Sequence, residues 1–150
     1  VYMFNRYEVF TLLVNNINRS IRKIQNEEMK EFNLKSRHVS CIYYLYKKET
    51  LTATELKEIC DVDKAAISRT LDFLEENEYI KCSSQAKKRY KSEFSLTEKG
   101  IEIGKFISSK IDEILEKSSF GLSKEKLEIF YEGLNVINEN LNKMIETEEE

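Results

Sequence analysis

Five basic residues, Lys81, Lys87, Lys88, Arg89 and Lys91, fall within one eleven-residue stretch that contains no acid. In a chain of 150 residues with a formal charge of −3, this stretch reverses the local sign. It suits a polyanion, because each phosphate neutralised by a lysine or arginine releases condensed counterions. The bland alternative is a solvated charged loop. Shortly upstream, Lys64, Ala65, Ala66, Ser68 and Arg69 form a cluster of short side chains with two long cations, a face that admits close approach to a major groove while Arg69 reaches a guanine edge or a phosphate. Reagents for covalent chemistry are few. The chain has one histidine, His38, and lacks a glycine-rich phosphate loop, a nucleophile elbow, or carboxylates grouped away from solvated helix faces, so enzymatic acid–base machinery is not expected. Cys41, Cys60 and Cys82 are odd in number and lack metal-ligand spacing, which argues against a zinc site or a disulfide framework. No cofactor is expected.

Clear stop and start signals surround the basic cluster. Thr52-Ala53-Thr54-Glu55 is a capping box, in which the threonine hydroxyl accepts the Glu55 amide and the carboxylate reaches back. A helix is therefore predicted from Ala53, with Leu56, Ile59 and Cys60 on its inner face. Asp61-Val62-Asp63 breaks that pattern and caps a second helix from about Lys64, whose Ile67, Leu71 and Leu74 point inward while Lys64, Ala65, Ser68, Arg69 and Asp72 point out. Thr54 and Lys64 stand near the two helix starts, where backbone amides favour anions. Tyr79-Ile80-Lys81-Cys82 reads as a strand and Ser83 to Lys91 as a polar loop. Ser92-Glu93-Phe94-Ser95-Leu96 returns with period-two alternation, completing a hairpin.

The run Asp63-Lys64-Ala65-Ala66-Ile67-Ser68-Arg69-Thr70-Leu71, then Leu74-Glu75 and Tyr79-Ile80, then Ser95-Leu96-Thr97-Glu98-Lys99-Gly100 resembles the MarR family of bacterial transcription regulators. The resemblance covers the central lobe by motif and the remainder by length and helical order. It implies a dimeric repressor or activator, Ser68 and Arg69 on a recognition helix, and a wing whose basic tip reaches the minor groove. One departure is visible. Wings of this family carry an Asp-x-Arg motif before the Leu-Thr step, whereas this chain reads Lys87-Lys88-Arg89-Tyr90-Lys91-Ser92. Arg89 is the natural tip arginine, one residue out of register and without a bracing acid, so that Lys87 and Lys88 are candidates to share its work.

Both ends of the chain carry regular apolar seams. Tyr7, Phe10, Val14, Ile17, Ile21 and Ile24 follow steps of three and four, as do Phe130, Leu134, Ile137, Leu141 and Met144. A further helix is predicted from Glu98 to about Ser118, capped by Thr97 and turning Ile103, Phe106, Ile107, Ile111, Ile114 and Leu115 inward; Ser123 caps the last one. With no proline and four glycines, these helices contain few breakers. The expected fold is mainly α with a small β-hairpin wing: a winged helix-turn-helix lobe over residues 36–97 and a helical dimerisation region over 1–32 and 98–146, all in one unit of 1–150. Tyr7, Phe10, Val14, Ile17, Phe130, Leu134, Ile137 and Leu141 are the expected dimer contacts. A two-fold homodimer presents two recognition helices to double-stranded DNA at a pseudo-palindromic operator.

The helix expected over Ser36–Lys48 links the two regions. The resemblance places an effector pocket near this junction, which makes Arg37, His38, Cys41 and Tyr44 candidates to line a site for a small phenolic or anionic molecule. Their plain reading is core and interface. Thiol-based redox control is a second possibility. Cys60 and Cys41 read as small hydrophobes, whereas Cys82 beside Lys81 and the basic loop is the best thiol candidate. None lies in the first helix, where oxidant-sensing members of the family carry their reactive cysteine. An adaptor that binds protein through its winged helix is the third reading, given the acidic tail Glu146, Glu148, Glu149 and Glu150. With no apolar run of membrane-spanning length and no signal-peptide pattern, no membrane association and a cytoplasmic location are expected; Met3 is a candidate natural start.

Overall fold

The computed structural model describes residues 6–83 and 91–146. Two compact units meet between Ser109 and Lys110. The first begins with α1 (Arg6–Glu28), a 3-10 turn at Lys30–Phe32 and α2 (Ser36–Lys48). After β1 (Thr50–Thr52) come α3 (Ala53–Ile59) and α4 (Lys64–Glu76), then β2 (Ile80–Cys82), β3 (Glu93–Leu96) and the start of α5 (Glu98–Ser118). The second unit holds the rest of α5 and α6 (Lys124–Glu146).

Helix starts fall where the side-chain caps put them. Thr52 Oγ1 accepts the Glu55 amide at 3.2 Å and the Glu55 carboxylate accepts the Thr52 amide at 2.7 Å, so both halves of the capping box are made. Asp63 accepts the Ala66 amide at 2.7 Å and opens α4; Ser123 accepts the Lys126 amide at 3.3 Å and opens α6. Helix ends are less conventional. Glu78 (φ 61) occupies the left-handed position after α4, with its amide donating to Glu75 and the Tyr79 amide to Leu74, the paired bonds of a Schellman motif. Asp61 (φ 50) plays the same part after α3: its amide donates to Glu58 and that of Val62 to Lys57. Both positions favour glycine, yet here an acid fills each.

The sheet has three strands where the sequence predicts a two-stranded hairpin alone. Their order is β1-β3-β2, all antiparallel, with Leu51 opposite Phe94 on one side and Cys82 opposite Phe94 on the other. β1 offers one buried residue, Leu51, and pairs only with a distant strand, so neither alternation nor a local turn announces it. The core of this unit lies beneath the sheet. Val39, Ile42 and Leu45 of α2, Leu56 of α3, Ile67, Leu71 and Leu74 of α4, and Phe94 and Leu96 of β3 are all buried.

Two inward expectations need correction. Ile59 is 38% exposed although Leu56 is fully buried. On α5, Ile103 and Ile107 are buried and Ile111 and Ile114 half-buried, while Phe106 and Leu115 are exposed. The buried stripe is completed instead by Gly100, Gly104 and Ser108, spaced four apart. Small residues there permit close approach: a Cβ at Gly104 meets the Tyr46 ring, and one at Gly100 overlaps the Tyr79 carbonyl oxygen.

The Leu-Thr-Glu-Lys-Gly segment therefore has a structural account. Leu96 is buried, and Thr97 Oγ1 donates to the Glu78 carbonyl at 2.6 Å while accepting the Gly100 amide at 3.0 Å. Lys99 Nζ donates to the Asn77 carbonyl at 2.7 Å, at the negative end of α4, and lies 4.3 Å from the centroid of the Tyr79 ring. These bonds pin the end of α4 to the start of α5.

Candidate nucleic-acid interface

Helix α4 is amphipathic, and its outer face is the candidate reading surface. Ile67, Thr70, Leu71 and Leu74 are buried, and the Thr70 hydroxyl donates to the Ala66 carbonyl at 2.9 Å. Lys64, Ala65, Ser68 and Arg69 are exposed together, whereas Ala66 and Asp72 are half-buried. Ala66 thus offers its edge, not its whole methyl, to a partner, and its amide is already occupied by Asp63. That bond also commits the Asp63 carboxylate to the cap, which reduces its opposition to an approaching anion. Thr54 is exposed at the start of α3 and, with Lys57 and Lys64, borders a shallow hollow between the two helix starts.

The base of the wing is well defined. β2 and β3 pair from Ile80 opposite Leu96 to Cys82 opposite Phe94, and Ser83 closes the ladder with its amide and hydroxyl both donating to the Glu93 carbonyl. Lys81 and Lys91 are exposed at the two edges of the loop. Lys87, Lys88 and Arg89 lie outside the described residues.

A cavity of about 580 Å³ opens between α1, α2 and the turn that joins α3 to α4. Arg37, Cys41 and Tyr44 line it, together with Arg22 and Lys35. His38 does not. Its ring is 3% exposed, stacks on Phe73 at 4.1 Å with 9° between planes, and accepts the Lys35 amide through Nδ1 at 3.0 Å. Burial, reinforced by Arg37 and Lys35, lowers its pKa to about 4, so the imidazole is neutral at physiological pH. Among the described residues no cluster of His, Cys, Asp or Glu suited to a metal ion forms, and no helix is long and apolar enough to cross a membrane.

Sequence reasoning misses the most chemically suggestive feature of the cavity. Cys41 Sγ and Cys60 Sγ, on different elements, lie 3.8 Å apart and both face it. Their contact raises the Cys41 thiol well above its usual range, with burial adding to the effect, and lowers that of Cys60. Cys82, favoured from its basic neighbours, is half-buried in β2. Only packing of α2 against the end of α3 reveals the pair.

The expected dimer contacts lie on helices with no buried residue of their own. Tyr7, Phe10, Val14 and Ile17 of α1 are exposed, and so are Phe130, Ile137 and Leu141 of α6, with Leu134 half-buried. Each helix is 23 residues long and leaves most of its apolar stripe exposed.

Two capped helices, the second with a polar outer face, and the antiparallel strand pair that follows them define a winged helix-turn-helix. Residues 38–115 match the family model for the winged helix DNA-binding domain, just over half of the chain, and the chain belongs to that family. Its fold is that of MarR-family regulators. NMB1585, a MarR family regulator from Neisseria meningitidis, is similar with a TM-score of 0.78 at 18% identity, over 95% of this chain and 97% of that one. MepR of Staphylococcus aureus in complex with DNA gives 0.76 at 20% identity, over 88% of this chain and 97% of that one. MarR of Staphylococcus aureus in complex with salicylate and kanamycin gives 0.77 at 19% identity, over 93% and 97%. A comparison with curated protein sequences returns no match.

Proposed function

We propose that this chain is a homodimeric, sequence-specific transcription regulator, a cytoplasmic repressor whose affinity for a pseudo-palindromic operator is modulated by a small molecule. The observation that carries the reading is the outer face of α4, where Ala65, Ser68 and Arg69 stand exposed on a helix anchored at both ends. Ser68 and Arg69 read base edges, Thr54 and Lys64 hold phosphate, and Lys87, Lys88, Arg89 and Lys91 supply the wing contacts. The fold neighbour MepR has been solved with DNA, which supports DNA as the partner. For the effector, the cavity beside Arg37 and Tyr44 offers cations and a phenol to a small aromatic or anionic molecule, and salicylate in the Staphylococcus aureus MarR complex supports that chemical class. A rigid dimer matches one half-site separation, so a molecule that alters the spacing of the reading heads releases DNA without touching a DNA contact.

Selection from a random duplex library at near-physiological salt tests the reading. Recovery of an inverted repeat with half-sites about one helical turn apart is expected. Weak, salt-sensitive binding without a motif overturns it in favour of a protein-binding adaptor. On the recovered duplex, Arg69→Ala is expected to lose about 1–3 kcal/mol and relax preference at one base pair. A uniform loss with a smaller salt slope instead assigns Arg69 to phosphate.

A further inference from the structure

Two thiols that the proposed function does not use face each other across the elements that set the reading head. Cys41 lies on α2 and is 1% exposed, so its backbone is held by the core. Cys60 is the C-cap residue of α3, directly before the left-handed Asp61 and three residues before the Asp63 that caps α4. Their sulfurs are 3.8 Å apart, and a disulfide needs about 2 Å, so bond formation requires the two sulfurs to close by roughly 2 Å. Cys60, half-buried, is the thiol reached from the cavity, with the buried Cys41 behind it, and the cavity wall carries Arg22, Lys35 and Arg37 against the single carboxylate of Asp61. Such a wall favours an anionic sulfur, and the lowered Cys60 pKa agrees with the geometry.

We propose that Cys41 and Cys60 form a reversible disulfide within one chain when a small hydroperoxide enters this cavity, and that closure weakens DNA binding. The first half stands on the geometry alone; the second rests on the transcription-regulator reading. The Cys60 thiolate attacks the terminal peroxide oxygen: an S–O bond forms, the O–O bond breaks, and the alkoxide leaves, taking a proton to become an alcohol. The Cys41 sulfur then attacks the Cys60 sulfenic acid: the S–S bond forms, the S–O bond breaks, and hydroxide leaves with the Cys41 proton as water. The two thiols together lose two electrons and two hydrogens to the peroxide. The bridge pulls the Cys60 turn toward α2, displaces Asp63 from the α4 start, and tilts the reading helix.

The test uses the full chain with Cys82→Ser, treated with hydrogen peroxide and, in parallel, cumene hydroperoxide. Free thiols are expected to fall from two per chain to none, with the Cys41 and Cys60 peptides linked at the mass of a single chain and both thiols restored by dithiothreitol. With Cys41→Ser added, oxidation stops at a Cys60 sulfenic acid that dimedone traps. Thiols that persist under peroxide sufficient to oxidise free cysteine, or a link between two chains, overturn the site. The duplex from the library selection then reads the second half. Affinity is expected to drop about tenfold on oxidation, within the usual span of coupling between sites, and to recover with reductant. Equal affinity in the linked and reduced states overturns the regulatory half. A chain that links but selects no duplex counts against the regulator reading and leaves the disulfide standing.

Discussion

At the residue scale, a buried neutral imidazole is the clearest case of environment deciding chemistry. His38 is sandwiched against Phe73 and holds the Lys35 amide, so protonation costs it both solvation and the acceptor at Nδ1. Its pKa is about 4 in the folded chain against 6.5 when free. Between these values the unfolded chain binds a proton that the folded chain refuses. The stability held by the neutral ring is therefore complete above pH 6.5 and declines as pH falls towards 4. His38→Gln keeps an acceptor near the Lys35 amide without titrating. Denaturant titrations from pH 7 down to 4.5 are expected to show a stability slope steeper in the native chain than in the variant by about one proton. Parallel slopes end the argument. The same depression makes His38 unfit to sense pH between 5 and 8, a role that a lone histidine invites on composition alone.

At the element scale, the ends of the helices decide where the reading surface sits. Starts are legible in the sequence because the cap is a local side-chain choice: Thr52 with Glu55, Asp63, Thr97 and Ser123 each mark the first turn that the structure shows. The ends expected at Asp61 and near Ser118 also fall where the structure has them, but nothing local announces that Asp61 and Glu78 take left-handed positions usually given to glycine or asparagine. β1 escapes for a related reason, its pairing being wholly non-local, and the Cys41–Cys60 contact escapes because only tertiary packing makes it. The apolar periods of α4 place Ile67, Leu71 and Leu74 correctly but give no hint that Thr70 joins them by returning its hydroxyl to Ala66. Glu78 also yields a prediction. A left-handed glutamate costs about 1 kcal/mol relative to glycine, and its interactions at this turn run through the backbone, which a glycine keeps. Glu78→Gly is thus expected to raise the melting temperature, with duplex affinity unchanged or improved. A lower melting temperature shows that the glutamate side chain holds something the turn geometry does not explain.

At the scale of the whole molecule, the unsolved surface is the pair of long helices. No residue of α1 or α6 is fully buried, and Tyr7, Val14, Ile17, Phe130, Ile137 and Leu141 turn apolar area outward at regular spacing. Scattered exposed apolar residues are ordinary, whereas aligned stripes over 23-residue helices are not, and they fit the proposed homodimer, in which a two-fold axis would match each stripe with a partner of the same chemistry. In the proposed homodimer, dimerisation would contribute to folding as well as to recognition, since dissociation would expose both stripes to water. Linking two reading heads also converts the second half-site contact into an intramolecular event, so loss of the dimer lowers operator affinity far more than loss of one contact. Ile137→Glu, placed on the exposed stripe of α6 and remote in sequence from the reading helix, is expected to shift sedimentation from a two-chain to a one-chain mass. Binding to an isolated half-site should persist while affinity for the full inverted repeat falls by about two orders of magnitude. If the variant stays dimeric and binds the full site as before, the seam on α6 is not the interface. If it is monomeric and loses the half-site too, the terminal helices are needed to fold the reading head itself, and the exposed stripes serve stability before they serve symmetry.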